Sequence, residues 1–312
     1  MTGSERETDP AAHGTDFRSG FASVVGRPNV GKSTLTNALV GQKVAITSSR
    51  PQTTRHTIRG VVNRPDSQLV LVDTPGLHRP RTLLGQRLNA LVLTTLAEVD
   101  VVVLCVPADQ AVGPGDRFVA AELDKVPTPR VAVVTKTDIV SRDQVAAQLV
   151  AVNALADFAH VVPVSAKSGE QVDVLADVLA GLLPPGPRLY PEGQLTDQPE
   201  ATMVAEFVRE AALEGVRDEL PHSLAVVVDE IVARPGRSEA SPLIDVRVEI
   251  YVERPSQKAI VIGRGGERLR TVGTQARVQI ERLLGTPVFL DLHVRVAKDW
   301  QRDPKQLRRL GF

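Results

Sequence analysis

Short apolar segments alternate with longer amphipathic segments between residues 21 and 183. The apolar segments are rich in valine, which is typical of buried parallel strands, and they lie at residues 21–25, 68–72, 100–106, 130–134 and 160–164. Residues 57–63 form a further predicted strand at an edge. Between these strands the pattern predicts helices at residues 32–40, 83–98, 116–124, 143–155 and 172–183. This alternation predicts an α/β domain with a mostly parallel, doubly wound sheet.

The pattern changes after residue 183. Residues 184–199 contain five prolines, which exclude a helix or a central strand and predict a linker. Beyond it the pattern predicts a helix at 202–220, strands at 224–233 and 243–252, a helix at 267–284 and an apolar run at 288–296. We therefore expect a first domain at residues 19–183 and a smaller α+β domain at 200–312. Residues 1–18 are polar and are expected to be disordered.

Composition and charge narrow the class of protein. The 312 residues carry 37 basic and 37 acidic side chains, which argues against a globally basic nucleic-acid binder. A single cysteine, Cys105, excludes a disulfide framework. No apolar run suits a membrane span or a signal peptide, so we expect a cytoplasmic protein. The charge is segregated, however, because residues 254–312 hold 13 basic and 5 acidic side chains. This excess indicates either a nucleic-acid or membrane face, or chance clustering.

A phosphate-binding loop follows the first strand and opens the first helix. Its sequence fits the pattern G-x-x-x-x-G-K-[ST], in which backbone N–H groups and the helix N-terminus surround phosphate oxygens. Lys32 is expected to reach the β- and γ-phosphates, and the Ser33 hydroxyl to bind Mg²⁺. The nucleotide-binding residues predicted here are Gly26, Arg27, Pro28, Asn29, Val30, Gly31, Lys32, Ser33 and Thr34.

A second motif, Asp73-Thr74-Pro75-Gly76, ends the strand at residues 68–72. A carboxylate at Asp73 can hold Mg²⁺, and the backbone N–H of Gly76 can bind the γ-phosphate. Taken alone, this pattern is more often an ordinary turn. Its position at the end of a predicted strand favours the functional interpretation, because ligands of open α/β sheets bind at the carboxyl ends of the strands.

Two further loops predict recognition of guanine. The first is Thr135-Lys136-Thr137-Asp138, where Asp138 can accept hydrogen bonds from N1–H and N2–H₂ of guanine and Lys136 can pack over the base. Adenine has no such donors, so a buried carboxylate would discriminate against it. The second is Ser165-Ala166-Lys167, whose backbone can donate to the guanine O6. All four motifs, in this order, predict a P-loop GTPase.

A glycine-rich loop, Gly263-Arg264-Gly265-Gly266, separates the apolar run 259–262 from the helix that begins near Glu267. A G-x-x-G loop before a helix is how KH domains bind a nucleic-acid backbone, although glycine-rich turns are also common elsewhere. Its place in the basic segment and the order of the elements predict a type II KH domain. The predicted RNA-binding residues are Lys258, Gly263, Arg264, Gly265, Gly266, Arg268, Arg270 and Arg277.

Residues 20–312 resemble the Era family, GTPases with a C-terminal KH domain. The resemblance rests on G-R-P-N-V-G-K-S at 26–33, on I-V-I-G-R-G-G-E-R-L at 260–269 and on the tail at 294–300 and 310–312. It implies that residues 52–56 are switch I, with Thr54 (or less favourably Thr53) on Mg²⁺, and that residues 73–84 are switch II. Lys32, Thr54 and Gly76 then become the catalytic residues, and the metal ligands become Ser33, Thr54 and Asp73. The resemblance also places K⁺ at Asn29.

The family resemblance further implies a monomer that binds the 3′ end of small-subunit ribosomal RNA during assembly of the 30S subunit, with peripheral membrane contact in some members. Two alternatives stay open: an RNA-binding GTPase without a ribosomal role, and a scaffold that holds nucleotide as a structural ligand. A GTPase of transport or tRNA modification is disfavoured, because the sequence has neither a membrane span nor a second GTPase domain.

Two positions depart from common GTPase patterns. Thr135 stands where asparagine is usual, which predicts a weaker contact to guanine N7. Leu77, also assigned to the nucleotide site, stands where Ras-like proteins carry the glutamine that orients water, which predicts slow intrinsic hydrolysis. The candidates for an arginine finger are Arg27, Arg50, Arg55 and Arg59. Trp300 and Phe312 are expected to pack the tail onto the KH domain, with base stacking as the less favoured alternative.

Overall fold

A computed structural model describes residues 17–48, 53–80, 82–214, 220–238 and 241–312. Within these residues the N-terminal unit contains a six-stranded sheet in the order β2-β3-β1-β4-β5-β6. Only β2 is antiparallel to its neighbour; the other pairs are parallel. The strands are β1 (Arg18–Val25), β2 (Ile58–Asn63), β3 (Ser67–Asp73), β4 (Val101–Pro107), β5 (Arg130–Thr135) and β6 (His160–Val164).

Helices cover both faces of this sheet. They are α1 (Lys32–Val40), α2 (Leu83–Leu96), α3 (Pro114–Leu123), α4 (Arg142–Asn153) and α5 (Val172–Leu182). Every residue of β3 and β4 is buried, because both faces of these strands are covered. The predicted α/β architecture is confirmed, and the observed bounds of its strands and helices differ from the predicted ones by at most three residues. At the N-terminus, β1 begins at Arg18, inside the segment that was expected to be disordered.

The C-terminal unit is a three-stranded sheet covered on one face by two long helices. Its helices and strands are α6 (Glu200–Leu213), α7 (Leu220–Ser223), β7 (Ala225–Ala233), β8 (Ile244–Val252), α8 (Pro255–Ile262), α9 (Glu267–Leu284), β9 (Val288–Val296) and α10 (Pro304–Arg309). The described strands follow the order β7-β8-β9, with β8 parallel to β9. The apolar faces of α6 and α9 form one core with β8, represented by Phe207, Val248 and Ile280.

The apolar run at residues 259–262, for which the pattern predicted no helix or strand, is the second half of helix α8. The helix begins at Pro255, whose fixed φ suits a first helical position. The Gln257 side chain caps it by accepting hydrogen bonds from the backbone N–H groups of Glu253 and Arg254. Four consecutive apolar residues could not distinguish a short helix from a strand, because the run is shorter than one full helical repeat of seven residues.

The proline-rich segment 184–199 is bound along the N-terminal unit. Near its start, Pro184 accepts a hydrogen bond from the backbone N–H of Ser19. In its middle, the Gln68 side chain accepts from the backbone N–H groups of Leu189 and Tyr190 at 2.7 and 2.8 Å. Its last part runs beside β2, where Leu195 accepts from Val61 at 2.8 Å. The segment predicted as a linker is therefore fixed to the sheet before α6 begins.

Candidate functional sites

The loop between β1 and α1 forms a cradle that admits no side chains at its glycines. Gly26 has a φ of 149°, and a Cβ there would lie 2.7 Å from the carbonyl oxygen of Cys105. Lys32 is 6% exposed and folds back over the loop, where its Nζ donates to the carbonyl oxygens of Gly26 and Arg27 at 3.3 and 3.1 Å. Burial lowers the pKa of Lys32, although the charge on Asp73 opposes this effect. The cradle therefore places a buried ammonium group where a phosphate can replace its carbonyl partners.

The three predicted metal ligands meet beside this cradle. The Oγ of Ser33 lies 2.9 Å from Oγ1 of Thr54 and 2.7 Å from Oδ2 of Asp73, and Thr54 Oγ1 lies 3.2 Å from the same carboxylate oxygen. Burial raises the pKa of Asp73 to about 6, against the opposing effects of Lys32 and the two hydroxyl groups. The other carboxylate oxygen, Oδ1, is buried and has no hydrogen-bond partner among the described residues.

This group of two hydroxyls and one carboxylate suits Mg²⁺, which prefers hard oxygen ligands. The orphaned Oδ1 of Asp73 supports the same fit, because a buried carboxylate oxygen without a partner costs free energy unless something binds it. The two adjacent threonines differ in their contacts. Thr54 points its hydroxyl into the cluster, whereas the Thr53 carbonyl oxygen accepts from Arg209.

The motif at residues 73–76 packs its turn directly on the phosphate loop. The Thr74 hydroxyl donates to the carbonyl oxygen of Val24 at 2.9 Å. A Cβ at Gly76 would lie 2.8 Å from the backbone nitrogen of Pro28, so only glycine permits this approach. Leu77 is 2% exposed and packs in the core below the sheet, while its N–H donates to Gly26 at 3.2 Å.

Three residues of the predicted nucleotide site direct their side chains away from the phosphate cradle. The Leu77 side chain faces the core and so contributes no side-chain contact to the pocket. Val30 is also fully buried, and the Thr74 hydroxyl has a structural partner. A cavity of about 890 Å³ does collect Pro28, Asn29, Gly31, Lys32, Ser33, Thr34, Thr54 and Gly76 around one space.

The residues predicted to read the base lie at the ends of β5 and β6. The Ser165 hydroxyl donates to Oδ1 of Asp138 at 2.8 Å, which orients the carboxylate. Lys136 has a φ of 60°, and its Nζ lies 3.6 Å from Oδ2 of Asp109. Asp138 is exposed and open to a ligand, as is Lys167, while Thr137 and Ala166 are half-buried. This arrangement leaves one carboxylate edge available to a base with two adjacent N–H donors.

The arginine-finger candidates are engaged elsewhere. Arg27 pairs with the buried Asp116 at 2.9 Å, and Arg59 pairs with Asp197 at the same distance. Arg55 is 1% exposed and points into the C-terminal unit. Arg50 lies outside the described residues. No described candidate is thus directed at the phosphate cradle.

The glycine-rich loop before α9 adopts a backbone that favours glycine. Gly263, Gly265 and Gly266 have φ values of 75°, 58° and 79°. A Cβ at Gly263 would lie 2.7 Å from the Cβ of Arg268, whereas Gly265 and Gly266 face open space. Arg264 is exposed beside a cavity of about 370 Å³ between α6 and α9. An extended backbone can approach these two open glycines closely.

The basic residues predicted for RNA contact divide into two groups. Arg264, Arg270 and Arg277 are exposed, and Arg277 lies 4.0 Å from Glu281 on the same helix. Lys258 on α8 is half-buried. Arg268 is half-buried and has carbonyl partners within the C-terminal unit.

The Arg268 guanidinium donates to the carbonyl oxygens of Ala212 and Glu214, at 3.2 and 2.6 Å. Burial lowers the pKa of Arg268. This arginine therefore caps the C-terminus of α6, whose last carbonyl groups lack helical partners.

Sequence reasoning missed the residues of the C-terminal unit that line the phosphate cavity. Glu210 of α6 and Gln279 and Arg282 of α9 share this cavity with the phosphate loop. Glu210 accepts from the backbone N–H of Thr47 at 2.9 Å. No local pattern could pair these segments, because they are more than 160 residues apart. Trp300 is fully buried, with Nε1 donating to Ser223, so the packing interpretation holds over base stacking.

Comparison with known proteins finds the same two domains. A family model described as a 50S ribosome-binding GTPase matches residues 21–136, and a KH-domain model matches residues 219–301. The chain is 66% identical to GTPase Era of Streptomyces coelicolor over 304 residues, which cover 96% of each chain. It is also 66% identical to GTPase Era of Mycolicibacterium smegmatis over 301 residues, which cover 96% of this chain and all of the relative.

Two solved structures share the whole fold. One is Era in complex with MgGDPNP and nucleotides 1506–1542 of 16S ribosomal RNA, with a TM-score of 0.89 and 35% identity over 95% of this chain and 99% of the other. The other is a variant of Aquifex aeolicus Era bound to GDP and AlF4⁻, with the same TM-score, identity and coverage. The similarity extends across both units and the segment between them.

Proposed function

The chain belongs to the Era family of GTPases, and from this premise we propose that it hydrolyses GTP at residues 26–33, 54 and 73–76 and binds ribosomal RNA through its KH domain. In this proposal residues 19–183 are the GTPase domain, residues 184–199 the linker and residues 200–312 the KH domain. The observation that carries the nucleotide site is the meeting of Ser33, Thr54 and Asp73 within 3.2 Å beside the buried Lys32.

The residues of the cradle bind and orient the triphosphate. Lys32 exchanges its two carbonyl partners for oxygens of the β- and γ-phosphates, and the N-terminus of α1 adds partial positive charge. Gly76, held against Pro28, directs its backbone N–H toward the γ-phosphate. In hydrolysis a water oxygen bonds to the γ-phosphorus, the bond from that phosphorus to the bridging oxygen breaks, and the electron pair leaves with GDP. The water proton passes to the phosphate product or to solvent.

Ser33, Thr54 and Asp73 would hold Mg²⁺, which supplies positive charge to the phosphate oxygens when it is bound. A relative of the same fold has been solved with MgGDPNP, which supports this assignment. K⁺ at Asn29 is a finer proposal: Asn29 has a φ of 64° and lines the same cavity as Lys32. Hydrolysis in K⁺ should then exceed hydrolysis in Na⁺, and Asn29→Ala should remove the difference.

Slow intrinsic turnover is part of the same proposal. Leu77 is buried, so its side chain orients no water, and the described arginine-finger candidates Arg27, Arg55 and Arg59 have other partners. Hydrolysis then depends on the charge of Lys32 and on positioning of the triphosphate, which are the usual sources of catalysis in phosphoryl transfer.

For the RNA partner we propose the 3′ end of small-subunit ribosomal RNA. Two observations support this choice: the open backbone at Gly265 and Gly266 beside exposed Arg264, and the relative solved with nucleotides 1506–1542 of 16S ribosomal RNA. A role in assembly of the 30S subunit follows from the same premise. Phosphate contacts from arginine would supply affinity, and base contacts in the groove between α6 and α9 would supply specificity.

The test is crosslinking of the protein to RNA in cells, read by sequencing, with Gly265→Asp as the matched variant. We expect enrichment at the 3′ end of the small-subunit RNA that the substitution removes, because an aspartate would place negative charge where phosphates approach. Dispersed targets would overturn the ribosomal role and leave an RNA-binding GTPase. GTP turnover that persists in Lys32→Ala would overturn the nucleotide site.

Three further expectations remain predictions: residence in the cytoplasm, peripheral contact with the inner face of the membrane, and a monomeric state. Within the described residues no helix is both long enough and apolar enough to cross a bilayer. Vesicle flotation tests the membrane contact, and light scattering of the purified protein tests the oligomeric state.

A further inference from the structure

The chain on both sides of Thr54 is anchored to the KH domain. On one side, the Thr53 carbonyl oxygen accepts a hydrogen bond from Nη2 of Arg209 on α6. On the other side, Arg55 buries its guanidinium in the KH domain, where Nη1 donates to the carbonyl oxygen of Leu224 at 2.6 Å. The hydroxyl of Thr54 itself contacts Ser33 and Asp73.

Aromatic rings of the C-terminal tail close around the buried Arg55. Its guanidinium carbon lies 5.6 Å from the ring centre of Trp300 and 5.9 Å from that of Phe312. The two rings stack at 5.5 Å, and the ring of His56 stacks on the other side of Phe312 at 5.2 Å. A desolvated guanidinium is attracted to such ring faces. The tail therefore contacts Arg55 and His56, which are consecutive residues of switch I.

The same tail is attached to the helix that follows Gly76. Arg87 on α2 donates to the carbonyl oxygen of Phe312 at 2.6 Å, and the backbone N–H of Leu84 donates to Gln301 at 3.1 Å. Leu84 also belongs to the apolar cluster that contains Trp300. The C-terminal tail thus contacts both switch segments: Phe312 contacts switch I, and Gln301 contacts Leu84 at the end of switch II.

We propose that Arg55, Trp300 and Phe312 are positioning residues for GTP hydrolysis, which hold the chain beside Thr54 so that its hydroxyl rests at Ser33 and Asp73. A segment without regular secondary structure loses conformational entropy when it is fixed. The anchors fix this segment when the protein folds. Less conformational entropy is therefore lost when the transition state for hydrolysis forms. The inference rests on the metal role of Thr54 that is proposed above.

Phe312→Ala tests the inference, with Phe289→Ala as the matched control. Phe289 lies on β9, is 52% exposed and has its ring under Arg234, so the control removes a ring of the same domain outside the switch contacts. We expect kcat to fall about tenfold or more in Phe312→Ala, with KM for GTP little changed because Lys32 and Asp138 are untouched. Phe312→Tyr keeps the ring and should restore kcat. An unchanged kcat in Phe312→Ala would overturn the inference.

A second readout needs no turnover. Trp300 is the single tryptophan of the sequence, so its emission reports on the tail. Mg²⁺ is titrated into protein that holds a non-hydrolysable GTP analogue. In Phe312→Ala the midpoint Mg²⁺ concentration should rise several-fold, because binding must then also order Thr54. The Phe289→Ala midpoint should match that of the unaltered protein. Equal midpoints in all three proteins would contradict the inference.

Thr54→Ala separates the two proposals. If Thr54→Ala leaves hydrolysis and the Mg²⁺ midpoint unchanged, the metal role itself is wrong. If Thr54→Ala lowers hydrolysis and raises the midpoint Mg²⁺ concentration while Arg55→Ala and Phe312→Ala change neither, the metal role stands and the anchoring role fails.

Discussion

The hydroxyl of Thr135 donates a hydrogen bond of 2.6 Å to the carbonyl oxygen of Val30, which joins the end of β5 to the phosphate loop. Thr135 is 3% exposed, so water does not compete for this bond. The residue that departs from the usual base-recognition motif therefore has a partner in the loop that surrounds the phosphates. Its hydroxyl hydrogen is used for this bond and is not available to the base.

Removal of this hydroxyl should destabilise the protein. Thr135→Val keeps the shape of the side chain and leaves the buried Val30 carbonyl without its donor, which should cost about 1–3 kcal/mol. Urea unfolding measures the change, with Thr274→Val as the control, because the Thr274 hydroxyl bonds within an exposed helix surface. Equal losses in the two variants would show that the bond to Val30 contributes nothing specific.

Asp138→Asn should weaken GTP binding at least about tenfold, because the amide replaces a charged acceptor whose hydrogen bonds are worth about 1.5–3 kcal/mol. The amide NH₂ should in turn favour xanthosine triphosphate, whose C2 carbonyl is an acceptor. Competition binding of the two nucleotides measures this exchange of preference. Asp143→Asn, an exposed change on α4, serves as the control. Retention of guanine preference in Asp138→Asn would place base recognition elsewhere.

Gly76→Ala should lower hydrolysis about tenfold to a hundredfold, because the new Cβ would lie 2.8 Å from the Pro28 backbone and force the turn away from the γ-phosphate. Affinity for GDP should stay unchanged, since GDP has no γ-phosphate. Gly181→Ala is the matched control: its Cβ meets open space on α5 and should stabilise the helix by about 0.5–1 kcal/mol. Single-turnover hydrolysis and GDP titration check both effects, and normal hydrolysis in Gly76→Ala would contradict the proposed contact.

Two arginines four residues apart should behave differently toward RNA. Arg264→Ala removes an exposed charge beside the open glycines, so the slope of log affinity against log salt should fall by about 0.7. Arg268→Ala should leave this slope unchanged and cost about 1 kcal/mol of stability, because it uncaps the carbonyl groups of Ala212 and Glu214. Binding measured at several salt concentrations, together with thermal unfolding, separates the two. A reduced slope in Arg268→Ala would restore its phosphate role.

The sequence alone predicted those elements and site residues that depend on the pattern of neighbouring residues. Valine-rich runs predicted the strands of the GTPase domain because both faces of such strands are buried. Ser33 and Asp73 could be brought together in advance, since the carboxyl ends of parallel strands meet at one edge of the sheet. Thr54 depended on the family resemblance, because a threonine in an irregular segment carries no periodic signal.

The role of Arg55 could not be predicted in the same way. Its partners Trp300 and Phe312 lie more than 240 residues away, and only the docking of two domains brings them together. The difference between Arg264, which is exposed, and Arg268, which has carbonyl partners, could not be predicted for a related reason. Both belong to one basic segment, but only the position of α6 determines which guanidinium finds carbonyl partners.

The course of the proline-rich segment along β2 has a consequence for self-association. β2 is an edge strand, and such edges recruit strands from other molecules when their backbone groups are unpaired. Here two outward backbone groups are occupied: Val61 donates to Leu195, and Thr196 Oγ1 donates to the Arg59 carbonyl oxygen at 2.7 Å. Because proline residues resist incorporation into a sheet, the segment covers the edge without extending it. The tether that connects the two domains thereby also protects the protein against edge-to-edge aggregation.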